Sequence, residues 1–422
     1  MYREEANKRR KKIAELLKEG EMLILFGGND ELGVDASPTR EKMDENFYYL
    51  TGMSIPEGVL LIGHLMGRIQ EFLFIRRRTE NEAFYLGMAL DPEYYSERTG
   101  IQAVLYSDEF EDMIDNFAMR TELKKVFFAS SFEKMSKYPR YENLLADRLQ
   151  RAYPRIQVGS LTAVLKQMRL VKSPLEREQI QKAIDITGDA LTEAVKQLKP
   201  GIHDYQMQSI LEHEIKMRGG RGEENVLALF GKDTTIMHNF NPNATAADGD
   251  LFLTDICTFY NDYCGDISRT YPVNGKFTEE QAHWYNVVLR AQEMTIASMA
   301  PGKLASECGV EATLYMEEEL RKAGYLAEGE TIKMMLGQCR TNYATPGMVN
   351  HSIGLSCHEL WGSGGNRLEP GMIFAIEPGI YLGEKAMGIR IEDDVLITEN
   401  GVEVLSEGIP KTIEEIEAMM QK

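Results

Sequence analysis

Asp255 and Asp266 stand in a stretch, TDICTFYNDYCGDISRTY (254–271), whose other residues are mostly β-branched or aromatic. Runs of this kind bury one or both faces, and a buried carboxylate is costly unless it is paired or bound to a metal. A second stretch, AIEPGIYLGEKAMGIRIEDDVLI (375–397), reads as another strand–turn–strand unit and also holds embedded acids, Glu377 and Glu392. In a hairpin with a two-residue turn, opposed residues differ by an odd number and share a face. Asp255 and Asp266 are 11 apart with their midpoint at Tyr260-Asn261, and Glu377 and Glu392 are 15 apart with theirs at Glu384-Lys385. Each hairpin is therefore expected to set two carboxylates side by side on one face, provided no bulge shifts the register.

Four carboxylates on one patch repel one another unless cations hold them. Oxygen-rich donor sets suit divalent manganese, cobalt, zinc or magnesium, and two ions commonly share bridging carboxylates. Two of the seven histidines, His351 and His358, lie together in NHSIGLSCHEL, and a histidine donor moves the preference from calcium toward a transition metal. A single acid of this kind is more often a solvated side chain or a helix cap; four of them in one half of the chain, with histidines nearby, outweigh that reading.

Other motifs carry no chemistry. LEHEIKM (211–217) opens like a zincin helix, but Met217 stands where the second histidine would be. WGSGGN (361–366) lacks the strand–loop–helix context of a phosphate loop, and no G-x-S-x-G elbow occurs. His64, His203, His213 and His283 lack acidic neighbours in a motif spacing and read as structural or surface residues. The five cysteines form an odd set without a C-x-x-C pair, so no disulfide framework is expected and a reducing compartment, the cytoplasm, fits best. Cys257 and Cys264 read as small buried strand residues, bystanders to the acids.

The elements that must position these residues divide in two. A chain of 422 residues exceeds one ordinary core, which sets a prior of two domains. In the first part, short apolar strands at 22–27, 58–64, 71–76 and 125–130 alternate with helical patterns at 4–18, 109–119 and 140–151, the signature of an α/β domain. The boundary falls near 165–173, where Ser173, Pro174 and Glu176 form a helix-opening box. A long amphipathic helix runs from there to about Lys199, others are expected at 204–218, 279–299 and 306–323, and a last one follows Thr412. Gly-, Asp- and Asn-rich turns separate strands between them, so the second half reads as α+β. A net charge of −19 argues against nucleic acid as the main partner, and no apolar run is long enough to span a membrane. The basic cluster Lys8–Lys12 is expected on a solvated helix face.

The order D-(10)-D, a histidine motif, LEPGM…EPG and GIRIEDD resembles the pita-bread metallopeptidase family of methionine aminopeptidase, aminopeptidase P and prolidase. LEPGMIFAIEPGIYL (368–382) and GIRIEDDVLIT (388–398) are close to the aminopeptidase P and prolidase forms, and ENFYYLTGMSIPEGVLLI (45–62) resembles their N-terminal domain. The resemblance implies a creatinase/prolidase-like α/β domain over 1–168 and a catalytic pita-bread domain over 169–422. It implies five metal ligands, Asp255, Asp266, His351, Glu377 and Glu392, holding two divalent ions, manganese first, with cobalt or zinc as alternatives. It further implies a metal-activated hydroxide that attacks the carbonyl before a proline, with Glu377 as ligand and proton shuttle. His238 would steady substrate, His358 would stabilise the tetrahedral intermediate, and Arg390 would either orient a ligand carboxylate or touch substrate.

The expected activity is that of an Xaa-Pro aminopeptidase acting on peptides with proline in the second position, in a homodimer. Prolidase, restricted to Xaa-Pro dipeptides, is the close alternative, and a pita-bread binding protein without peptidase activity is a more distant one. One departure stands out: the family's motif usually has a histidine four residues before the ligand His351, where this chain has Gly347. That position is a substrate-side one, so metal binding should survive its loss while substrate preference could change.

Overall fold

The computed structural model describes residues 2–28, 44–86, 91–120, 123–129, 141–222, 226–239, 241–329, 339–341, 350–359 and 365–421. The chain divides into two compact units, residues 1–169 and 170–422.

Unit 1 is built on a mixed sheet of β1 (Glu21–Phe26), β2 (Val59–Leu65), β3 (Arg68–Ile75), β4 (Ala103–Tyr106), β5 (Lys125–Phe128) and β6 (Gln157–Ser160), in the order β4-β3-β2-β1-β5-β6. The apolar runs of β1 and β2 occupy the centre because both of their faces are covered. Met22, Ile24, Leu61, Phe74 and Val126 form the core with Ile114 and Leu149 of helices Phe110–Met119 and Tyr141–Ala152. The first helix, Tyr2–Leu16, corrects one expectation. Arg9 and Arg10 are buried, and they donate to Tyr49 O (3.0 Å) and Leu50 O (2.8 Å) in the last turn of helix Glu45–Thr51. Those carbonyls have no partner inside their own helix, and the guanidinium groups supply one. Lys8, Lys11 and Lys12 do face solvent.

Among the described residues, unit 2 holds three antiparallel sheets. The first is β7 (Val226–Phe230), β8 (Leu251–Tyr260) and β9 (Tyr263–Pro272); the second joins β10 (Cys339–Thr341) to β13 (Gly379–Leu382) and β14 (Met387–Arg390). The third runs β11 (Asn350–Ser352), β12 (Ile373–Ile376), β15 (Asp393–Thr398) and β16 (Gly401–Val404). Helix Pro174–Val195 opens with Ser173 accepting from Glu176 N while Glu176 caps Ser173 N. It lies along β8–β9 so closely that a Cβ at Gly265 would stand 2.6 Å from Ile184 Cγ1. Thr187 Oγ1 bonds Thr258 Oγ1 at 2.7 Å on the same side. One face of the hairpin is thereby sealed by a helix, and the alternate residues face the other way.

The two hairpins differ in register. In β8–β9 the turn is Asn261-Asp262, both with left-handed φ (47° and 65°), so Asp255 pairs with Ser268 and Asp266 with Cys257. The expected turn, one residue earlier, would have put Tyr260 in that conformation, which Asn and Asp accept far more readily. The two aspartates therefore share a face but sit two residues apart along the ladder. In the second hairpin β12–β15 and β13–β14 keep one register, Ile376↔Asp393 and Gly379↔Arg390, which carries Glu377 opposite Glu392. Regular pairing stops between these ladders. Pro378 has no N–H to donate there, and the carbonyls of Ile376 and Ile391 instead accept from Gln292 Nε2 (3.3 and 3.1 Å), fully buried in helix Glu279–Ser298. The break frees Glu392 N to bond Ser268 O (3.0 Å), stitching the second hairpin to the first.

Candidate metal centre

The donor atoms arrive from three directions. Asp255 projects from β8 and Asp266 from β9; Glu377 and Glu392 stand at the break between ladders; His351 lies on β11, paired to Ala375 of β12. His351 Nε2 points among the acids: 3.8 Å from Asp266 Oδ2, 3.5 Å from Glu377 Oε1 and 3.7 Å from Glu392 Oε1. These spacings exceed good hydrogen bonds but suit donors grouped around a cation, whose ligands at about 2.1 Å stand roughly 3–3.4 Å from one another. Ligand atoms of Asp266, His351 and Glu392 all fall within 4.8 Å of each other.

The electrostatics also fit a cation. Burial, and then the charges of Glu392, Asp255, Asp394 and Glu377, hold the Asp266 carboxyl well above the usual range. Glu377 is pushed up to about 7 by burial and Glu392, against the lowering pull of His351 and Arg390. Burial alone would lower His351, yet the adjacent Glu392 carboxylate and the charges of Glu377 and Asp394 raise it to about 9. The protein supplies more negative charge than its own histidine and arginine neutralise, and divalent ions are the chemistry that such a donor set takes.

Arg390 is fully buried, and its fork is engaged: Nη2 donates to Asp255 Oδ2 at 2.6 Å, Nε to Ser268 Oγ at 2.9 Å, and Nη1 to the Tyr381 hydroxyl at 2.8 Å and Met237 O at 3.4 Å. Ser268 in turn donates to Glu392 Oε2 at 2.7 Å. One arginine and one serine thus orient an acid from each hairpin. The run Glu392-Asp393-Asp394 splits by strand alternation. Asp394 faces the site and accepts from Asp266 N (2.9 Å), whereas Asp393 points away to Arg269 (2.8 Å) and Lys411 (2.6 Å). Ser268, Tyr381 and Asp394 escape a reading of the sequence; the one available signal is their same-face spacing from Asp266, Glu377 and Glu392.

His358 lies beside His351, with ring centroids 4.3 Å apart and planes inclined by 33°. His238 is exposed, just after the carbonyl of Met237 that Arg390 holds. Gly347 lies outside the described residues. The cysteines depart from expectation: Cys257, on the site face next to Asp255 and opposite Asp266, is disulfide-bonded to Cys357. The bond joins residues 100 apart in sequence, a meeting that only the packing of β11 and its following segment on the hairpin creates.

Fold and donor set define a metal-dependent hydrolase of the pita-bread class. Residues 178–399 match the model of metallopeptidase family M24, and residues 6–127 that of the aminopeptidase P N-terminal domain. The chain is 31% identical to the Xaa-Pro aminopeptidase of Escherichia coli, over 99% of this chain and 98% of that one. It is 28% identical to a mouse Xaa-Pro dipeptidase, covering 82% of this chain and 78% of the relative. Zinc-substituted E. coli aminopeptidase P in complex with product superposes with a TM-score of 0.86 at 28% identity, covering 99% and 98% of the two chains. The chain belongs to metallopeptidase family M24, in its aminopeptidase P/prolidase branch, and is a metallo-exopeptidase.

Proposed function

We propose that the chain is an Xaa-Pro aminopeptidase that releases the N-terminal residue preceding a proline, working as a cytoplasmic homodimer with the catalytic site in residues 169–422 and the N-terminal domain in residues 1–168. The observation that carries the reading is the convergence of His351 Nε2 on Asp266, Glu377 and Glu392, at 3.5–3.8 Å. Asp255, Asp266, His351, Glu377 and Glu392 would hold two divalent ions, manganese first, with cobalt or zinc as alternatives. When bound, such ions lower the pKa of a water so that it serves as the nucleophile near neutral pH, and polarise the scissile carbonyl.

The remaining work falls to side chains. Glu377, at the break between ladders and 3.5 Å from His351 Nε2, would take a proton from the nucleophile and pass it to the leaving proline nitrogen. His358, tilted against His351, would donate to the oxyanion that develops at the carbonyl carbon. His238 at the exposed rim steadies the peptide. Arg390 acts as a positioning residue, because its donors are engaged by Asp255, Ser268 and Tyr381.

The full-length match to an aminopeptidase favours this reading over prolidase, whose mouse representative aligns over less of both chains. A non-peptidase role is disfavoured by the complete donor set. A series of Xaa-Pro and Xaa-Pro-Xaa peptides with manganese, cobalt and zinc tests the assignment. Cleavage of the tripeptides is expected; cleavage of dipeptides alone would establish prolidase instead. Asp266→Asn should abolish both turnover and stoichiometric metal, and His358→Ala should lower kcat by about 100-fold, to a rate still measurable, while leaving metal content largely intact.

A further inference from the structure

Three sulfurs gather beside the donor face. The Sγ atoms of Cys257, Cys264 and Cys357 lie within 4.8 Å of one another, and Cys257 is bonded to Cys357 with their Cα atoms 6.5 Å apart. That separation lies inside the span of about 4.4–6.8 Å that disulfides accept. Cys357 directly precedes His358, whose ring lies against His351, and Cys257 is opposite Asp266 in the ladder. Backbone bonds anchor the start of the segment 353–359, with Cys264 N donating to Gly354 O (2.8 Å) and Ile353 N to Ile373 O (3.3 Å). The sulfur bridge adds a covalent tie at the residue next to the histidine.

We propose that the Cys257–Cys357 bridge is a reversible clamp that positions His358, closed by exchange with a low-molecular-weight disulfide and opened by the corresponding thiol. The inference rests on the role given to His358 above. In closing, the half-buried Cys357 sulfur attacks the small disulfide RSSR, whose S–S bond breaks and releases one RSH. Cys257 then attacks Cys357 in the mixed disulfide and releases the second RSH. Two protein thiols are oxidised, one RSSR is reduced, and the two thiol protons leave on the two RSH. Cys264 and Cys308 remain thiols.

Among the described residues a single bridge stands beside a third thiol, which is not a disulfide framework of paired sets in small domains with little core. Here the cores of both units are large. Exchange chemistry suits a bond whose partner sulfur is partly accessible, as Cys357 is. The tie also joins two parts of the chain that must hold a fixed geometry for His358 to meet the developing oxyanion. A misplacement of that donor by about 1 Å costs on the order of 10–100-fold in rate.

The test uses the metal-loaded full chain equilibrated with oxidised or reduced glutathione. Of the five cysteines, three thiols are expected in denaturant after oxidation and five after reduction. The oxidised enzyme should turn over an Xaa-Pro peptide at least about 10-fold faster, with KM within about twofold. Cys357→Ser should match the reduced enzyme under both conditions, and in His358→Ala the ratio of the two rates should fall to one. Hydrogen exchange of 353–359 should slow on oxidation, a readout that needs no turnover. An unchanged thiol count, unchanged exchange and kcat despite a changed count, or a ratio that survives in His358→Ala would each overturn the clamp. Exchange that follows the thiol count in a chain that cleaves no Xaa-Pro peptide would uphold the clamp and remove the peptidase assignment.

Discussion

Ser268 carries no charge, yet two of the site's orienting bonds meet at its hydroxyl. It donates to Glu392 Oε2 at 2.7 Å and accepts from Arg390 Nε at 2.9 Å, and it is fully buried. Ser268→Ala would leave Glu392 without that donor and the Arg390 N–H without an acceptor. A buried group losing its partner costs about 1–3 kcal/mol, and in a domain of this size each kcal/mol lowers Tm by about 2–4 °C. Loss of a group that orients a ligating carboxylate typically weakens metal binding 10–100-fold, or about 1.4–2.7 kcal/mol. Because the change is neutral, no altered charge confuses that reading. The assay is calorimetric titration of the metal-free protein with manganese, beside a thermal melt. The expected result is a Kd raised 10–100-fold with a Tm lower by several degrees. Ser268→Thr, which keeps a hydroxyl at the same backbone position, should restore most of the affinity. A Kd within twofold of the parent protein, together with a depressed Tm, would show that the hydroxyl is merely structural and would refute the argument.

Arg390→Lys keeps a charge but cannot reproduce the fork that spans Asp255, Ser268 and Tyr381. Steady-state kinetics should show kcat reduced by about 10-fold or more with KM little changed; raised KM at intact kcat would make Arg390 a substrate contact instead. Gln292→Leu strands the carbonyls of Ile376 and Ile391 behind the break between ladders. A loss of about 2–4 kcal/mol in urea unfolding is expected, and a loss below about 0.5 kcal/mol would remove Gln292 from its buttressing role. In the metal-free protein, native His351 (about 9) and Glu377 (about 7) bind protons more tightly than their unfolded counterparts. The His351 contribution is fully present below its ordinary pKa and is lost as pH rises through about 9, while the native state progressively loses its Glu377 proton advantage through about 7. Urea midpoints of the metal-free protein should therefore fall from pH 5 to pH 9, and saturating metal should flatten that fall. A rising midpoint over the same window would contradict the sign.

Local regularities were legible in the amino-acid order. The boxes at Ser173, Thr278 and Thr412 open helices because a cap and its N3 partner lie three residues apart in one turn. The parity of 255 and 266, and of 377 and 392, puts each pair of acids on one face for any turn with an even number of loop residues, since the strand period is two. The exact register was less accessible: the turn at Asn261-Asp262 depends on backbone conformations that Tyr260 would resist, and it moved Asp255 from opposite Asp266 to opposite Ser268. Arg9 and Arg10 looked like part of a solvated basic face, but the exposed carbonyls of a helix 40 residues away draw them inward.

The amino-acid order carries the inventory of donors and their faces: the acids and histidines are named by type, and strand periodicity orients them. Which distant groups meet is a matter of packing. Arg390 reaches across to Asp255, Ser268 reaches Glu392, and Cys257 meets Cys357 across a sequence separation of 100. Alternation and capping follow from covalent geometry over a few residues. Contacts between sheets follow from how the hairpins, the break at Pro378 and the covering helices pack together, and no short-range pattern encodes them.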